Sequence, residues 1–257
     1  MKTLNKLAIA LVAGAVSSVV AMGEAVKAAV LVDRGLPSTN LNNAAGPNRS
    51  NIRWATDAQN AGLFGDDFTI GNAGENFQVD TITTWVAPGL SIGDPVELGD
   101  FFSEVTLLGA PGSGSNIAPI STGTLSVGSS ATSNSNISIS QVTYSDGSGY
   151  DNFGTEVNLW QVDFNNLGLN IAGGEAYSFG VRGVGRQIGA STLFYPWFNH
   201  GSNAALSGVP QDAADNLLSE YDASGNFVRT FDSTGDGWDK PSDLNIRVSG
   251  KRVPLNI

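Results

Sequence analysis

Cysteine is absent from the 257 residues, and histidine occurs once, at His200. Without thiols there are no disulfides, no thiolate zinc sites and no cysteine nucleophile, and a single imidazole excludes a multi-histidine metal centre. Positive charge is also scarce. Thirteen Lys and Arg stand against 24 Asp and Glu, giving a net charge of −11 at pH 7. So acidic a surface repels phosphate backbones and anionic headgroups, which argues against nucleic acid and membrane surfaces as partners and favours neutral or cationic ones, divalent metal ions included. Plain solubility explains the same charge equally well.

Long hydrophobic runs are confined to one place. Lys2 and Lys6 precede an apolar run from Leu7 to about Met22, followed by small residues that suit signal peptidase. This reads as a secretory signal over residues 1–28, cleaved near Ala25 or Ala28. The run is short and rich in Ala, Gly and Ser, and no second apolar stretch follows, so no membrane span is expected after cleavage. The expected product is secreted or displayed at the cell surface, with residues 29–257 as one domain. A chain of that length buries enough apolar surface to fold without disulfides.

What remains is dominated by period-two patterning. Gly65 to Val86 reads as two strands about a Gly/Asn turn: Phe68 and Ile70 alternate with Asp67 and Thr69, GNAG (71–74) breaks the run, and Val79, Thr81, Thr83 and Trp85 alternate with Asp80, Ile82 and Thr84. Further strands are expected at 30–32, 52–54, 101–109, 120–127, 136–144, 156–164, 176–184 and 243–250. The spacing puts Trp160, Val162 and Phe164 on one face, and likewise Tyr177, Phe179 and Val181, and Leu244, Ile246 and Val248, with Asn245 and Arg247 opposite that last group. Trp85 and Trp160 are expected in the core. A hairpin turning at Ala223 to Asn226 fits 219–231, and one short helix fits PQDAADNLLSEY (210–221). Residues 109–136, rich in Gly, Ser, Ala, Pro, Asn and Thr, read as a long decorated loop rather than an interdomain linker. The expected fold is all-β: a single antiparallel β-sandwich, jelly-roll-like, with long loops and at most one short helix.

The order DDF, ITTWV, AGGEAYSFGV, YPWF and DLNIRVSG resembles the β-sandwich domains of bacterial exosortase-sorted (PEP-CTERM type) extracellular proteins. The resemblance implies an exported protein of the cell surface or matrix, most such proteins having no known activity. In that family the last strand leads into a Val-Pro-Glu-Pro sorting tail with a membrane span. Here Val253-Pro254 is followed by Leu255, Asn256 and Ile257, so the expectation is free secretion or non-covalent surface association.

Two constellations could carry chemistry. In FDSTGDGWDKPSD (231–243), Asp232, Thr234 and Asp236 take the first, third and fifth places of a calcium loop, with Gly237 sixth and Asp243 twelfth. Alternating oxygens around a Gly-permitted bend suit a hard cation, here a structural calcium. Asp239, Lys240 and the Asp at position twelve depart from the pattern, and a plain turn with Trp238 tucked onto the core is the alternative. Tyr195, Trp197, Asn199 and His200 could form a platform for a glycan, flat rings facing sugar C–H groups and polar groups bonding hydroxyls. Burial of those rings in the core is the simpler account. The chain lacks a GxSxG elbow for a serine nucleophile. Six glutamates follow the signal, none in the setting of a glycosidase pair, and GVRGVG (180–185) has no helix after it to cradle a phosphate. The expected function is therefore a non-catalytic β-sandwich that binds an extracellular glycan or a surface protein. The alternative is a secreted polysaccharide-active enzyme, a glycoside hydrolase or lyase on a jelly-roll scaffold.

Overall fold

A computed structural model of the protein describes residues 28–35, 53–55, 62–88, 97–142, 150–152, 155–195, 197–200, 213–215, 217–232 and 243–254. In chain order the strands are β1 (Ala29–Asp33), β2 (Arg53–Ala55), β3 (Leu63–Thr69), β4 (Asn76–Pro88), β5 (Phe102–Pro111), β6 (Ala118–Thr124), β7 (Ile137–Gln141) and β8 (Tyr150–Asn152). They continue with β9 (Thr155–Val157), β10 (Trp160–Phe164), β11 (Leu169–Ala172), β12 (Ala176–Gly185), β13 (Trp197–His200), β14 (Leu217–Tyr221), β15 (Phe227–Asp232) and β16 (Arg247–Arg252). One short helix, α1 (Leu98–Phe101), precedes β5.

Two antiparallel sheets pack face to face, as the period-two reading requires. The first runs β1-β16-β4-β10-β7, with β11 and the β13–β2 pair also on β4; the second runs β15-β14-β3-β12-β5-β6. β8 and β9 pair separately. Between the sheets lies one large apolar cluster that includes Phe68, Val79, Phe102, Val162, Phe179 and Trp197. Its aromatic rings meet mostly edge to face or tilted, as at Phe102–Trp197 (centroids 4.8 Å apart) and Phe68–Phe179 (5.8 Å). Those geometries suit the quadrupoles of aromatic rings.

The structure departs from the sequence reading at three points. Among the described residues the helix is at 98–101; of the 210–221 stretch that suits a helix, 210–212 and 216 lie outside the described residues, and Leu217–Tyr221 is an inner strand of its sheet, paired in a hairpin with β15. There Leu218 and Tyr221 are buried between neighbours, and pairing with β3 and β15 overrides local propensity. Residues 109–136 are more regular than a decorated loop, since β5 and β6 form a hairpin there. The third departure is a bulge. Thr81 pairs with Ser249 but Val79 pairs with Gly250, leaving Asp80 as the extra residue in β4. An extra residue reverses which side chains face inward. Phe77 and Val79 face the core before it, and Ile82, Thr84 and Val86 after it. Trp85 is consequently buried on the other face with Ala87 and Leu159, its ring 5.6 Å from the Arg247 guanidinium.

β12 keeps its alternation, and Gly183 continues the inward row of Phe179 and Val181 beneath the Trp197 ring. A Cβ at Gly183 would overlap that ring, which has no room to retreat in a packed core. Gly183→Ala is expected to lower unfolding free energy by about 2 kcal/mol, read as a lower urea midpoint at unchanged slope.

Candidate functional site

Trp197 and Asn199 are placed in the interior by the alternation of β13. Trp197 is fully buried, its Nε1 donates to Asn199 Oδ1 (2.9 Å), and Asn199 Nδ2 donates to the Val181 carbonyl (3.2 Å). A sealed ring offers no face to a sugar, so Trp197 serves the core. Tyr195 is half-buried against Phe101, rings at 84° and 5.0 Å. The side chain of His200, together with Thr234 and Asp236, lies outside the described residues. GVRGVG forms the second half of β12, and three glutamates form ion pairs with arginines: Glu75 with Arg252 (3.1 Å), Glu104 with Arg182 (3.7 Å) and Glu220 with Arg229 (2.6 Å).

The two ends of the 232–243 segment differ in burial. Asp232 is exposed at the end of β15, whereas Asp243 is completely buried. Asp243 meets Asp66 and Asp215, the three carboxylates bringing one oxygen each within 4.8 Å of one another. Asp66 sits on β3 at the same parity as Phe64 and Phe68, so the pleat aims its carboxylate into the sandwich. What makes this tolerable is Arg34, also fully buried, just beyond β1. Its Nη1 donates to Asp66 Oδ2 (2.7 Å) and the Leu244 carbonyl (3.0 Å), and its Nη2 to the carbonyls of Asp67 and Ala213 (2.7 Å each). Asp66 accepts further bonds from the backbone N–H groups of Asp67 and Leu244 (2.7 Å each), and Asp243 Oδ1 accepts from that of Asp215 (3.2 Å). Both Asp66 oxygens are thus engaged by donors, and the guanidinium supplies positive charge to the cluster. The sequence reading held Asp243 for calcium and missed Arg34 and Asp66.

A second feature is open to solvent. A groove of about 430 Å3 is lined by Glu97, Ser130, Thr132, Asn134, Ser135 and Ser138, with Ile137 and Ile139 of β7 as its apolar part. Its walls are held by their own hydrogen bonds. Leu98 N donates to Ser130 Oγ (2.9 Å), Thr132 Oγ1 to the Asn134 carbonyl (2.7 Å) and Asn134 Nδ2 to the Thr122 carbonyl (3.1 Å), while Ser138 Oγ accepts from Asn165 Nδ2 (3.0 Å). Arg186 ties the neighbouring segments together, donating to the carbonyls of Gly99 and Leu125 (2.6 Å each). Hydroxyl and amide groups beside the half-buried Ile139, with Ile137 turned into the core and the Glu97 carboxylate exposed among them, suit an uncharged ligand with both hydroxyls and C–H faces. The signal was the hydroxyl-rich composition of the 109–136 stretch, which carried no periodicity to place it. Comparison with protein-family models, curated proteins and solved structures finds no match for this chain.

Burial pushes the Asp66 carboxyl well above the usual carboxylate range; Arg34 draws it down, and the neighbouring Asp243 pushes it up again. A raised folded-state value contributes stability that is complete below the unfolded value of about 4 and is lost as pH rises through the folded one. Asp66→Asn removes this contribution. Comparing urea midpoints from pH 4 upward, the wild type should lose stability with rising pH more steeply than Asp66→Asn, and equal slopes would contradict the assignment. Arg34→Met leaves two buried carboxylates facing each other and should cost about 3–5 kcal/mol at neutral pH.

Proposed function

We propose that the protein is an exported, non-catalytic β-sandwich of the cell surface or extracellular matrix that binds a neutral glycan along the groove beside β7. The observation that carries this reading is the groove itself, whose polar walls are fixed before any ligand arrives. A ligand then loses its own freedom but does not have to order the loop, which favours binding by a shallow polar site. Net negative charge agrees with a neutral rather than an anionic polymer. Export is supported by residues 1–28, and the surface or matrix setting by the resemblance to exosortase-sorted proteins.

A glycan array read together with reducing-end assays tests the proposal. Retention of a neutral glycan without new reducing ends is expected. New ends would replace it with the polysaccharide-cleaving alternative, and no retention on any glycan would leave a protein partner or a structural role. Ser135 is exposed in the groove, so Ser135→Trp should fill it and weaken retention by roughly tenfold or more while leaving the thermal midpoint unchanged. Running the array with calcium and with chelator tests the calcium loop at 232–243: a raised melting midpoint in calcium adds the ion to this reading, and an unmoved one removes it.

A further inference from the structure

Asn245 precedes β16 at a position whose parity assigns it to the solvent side, yet it is only 3 % exposed. It lines a small space together with Thr84, Asn199 and Trp85, whose indole Nε1 is also buried without a partner, and with Phe179, Val181 and Leu244. The volume is about 10 Å3. Asn245 Nδ2, Asn245 Oδ1 and Thr84 Oγ1 are all buried without a hydrogen-bond partner from the protein. Asn199 is already committed, since it bonds Trp197 and the Val181 carbonyl.

We infer that this cavity is a binding site for one structural water molecule, bridging the Asn245 amide and the Thr84 hydroxyl. Three observations select that ligand. A buried amide or hydroxyl left unbonded costs about 1–3 kcal/mol, so the site favours whatever supplies the missing partners. The space accommodates about one water-sized probe, which excludes a sugar, a nucleotide or any organic cofactor. Cavities that stay dry are lined by apolar groups alone, and this one presents both donors and acceptors, as a molecule with two hydrogens and two lone pairs requires. The position gives the water a structural consequence. Leu244 lines the cavity and also bonds Arg34 through its carbonyl and Asp66 through its N–H. The water therefore extends the buried polar system from the Arg34 cluster to β4, fastening the segment before β16 to the centre of the first sheet.

An atomic-resolution crystal structure of the full chain tests this directly. A single density peak within hydrogen-bonding distance of both Asn245 and Thr84 is expected, and an empty cavity overturns the proposal. In solution, oxygen-17 relaxation dispersion counts long-lived internal waters. Asn245→Leu, which fills the space with a hydrocarbon, should lower that count by one relative to wild type, and an unchanged count in the folded variant overturns the proposal. If Asn245→Leu does not fold, the wild-type crystal structure decides alone.

Discussion

A guanidinium with no contact with water is the constraint around which this sandwich closes. Stripping Arg34, Asp66 and Asp243 of solvent is expensive, and a buried ion pair by itself argues little for stability against an apolar replacement. The arrangement does fix geometry. Arg34 follows β1 in the first sheet, Asp66 and Asp67 belong to β3 in the second, Leu244 precedes β16, and Ala213 precedes β14. Four chain segments must arrive together before the charge is satisfied. A register slip in β3 would turn Asp66 outward and leave the guanidinium without its carboxylate, so the pair penalises misaligned sheets far more than it rewards the correct one.

That function explains which parts of the molecule were legible in the sequence. Wherever burial alone decides orientation, alternation reads true, as along β10 with Trp160, Val162 and Phe164, and along β12 with Tyr177, Phe179 and Val181. It fails at β4 because Asp80 adds a residue, and a bulge leaves no mark in hydrophobicity: Trp85 is buried even though the inversion turns it away from the main core cluster. Asp66 was half legible. An acid at the parity of Phe64 and Phe68 signals a buried charge, but its partner lies 32 residues away and Leu244 a further 178 along from Asp66, distances over which periodicity carries no information. Asn199 follows the same rule, sharing parity with Trp197, so its inward position was there to be read while its bond to the indole was not.

The candidate site illustrates the converse problem. The turn residues around Asn134 have no period, and their composition alone says loop. Their order comes from side chains bonding the backbone two to twelve residues away, as Thr132 and Asn134 do, and from Arg186 reaching across from the end of β12. Ser, Thr and Asn are well suited to this because their short polar arms imitate backbone partners. Such a stretch looks identical in composition to a flexible linker, and only the bonds distinguish them.

Sheet edges complete the physical picture, because a sandwich without disulfides must keep its open strands from pairing with other chains. Among the described residues, β6 ends the second sheet and carries Pro119, which has no N–H to offer, while β15 ends it on the other side with Arg229 in a pair with Glu220. β1 is only five residues long and is pinned at its end by the Arg34 cluster and by an Asp33–Arg247 pair (3.4 Å). β7, also five residues long with the sequence ISISQ, ends the first sheet on the other side with Ser138 and Ser140 exposed, and it forms one side of the groove. Hydroxyls along an open edge lower its appeal to another apolar strand and are at the same time hydrogen-bond donors and acceptors. Ser138, exposed on this edge and in the lining of the groove, thus answers both demands: it weakens strand pairing and suits the ligand class proposed for the groove.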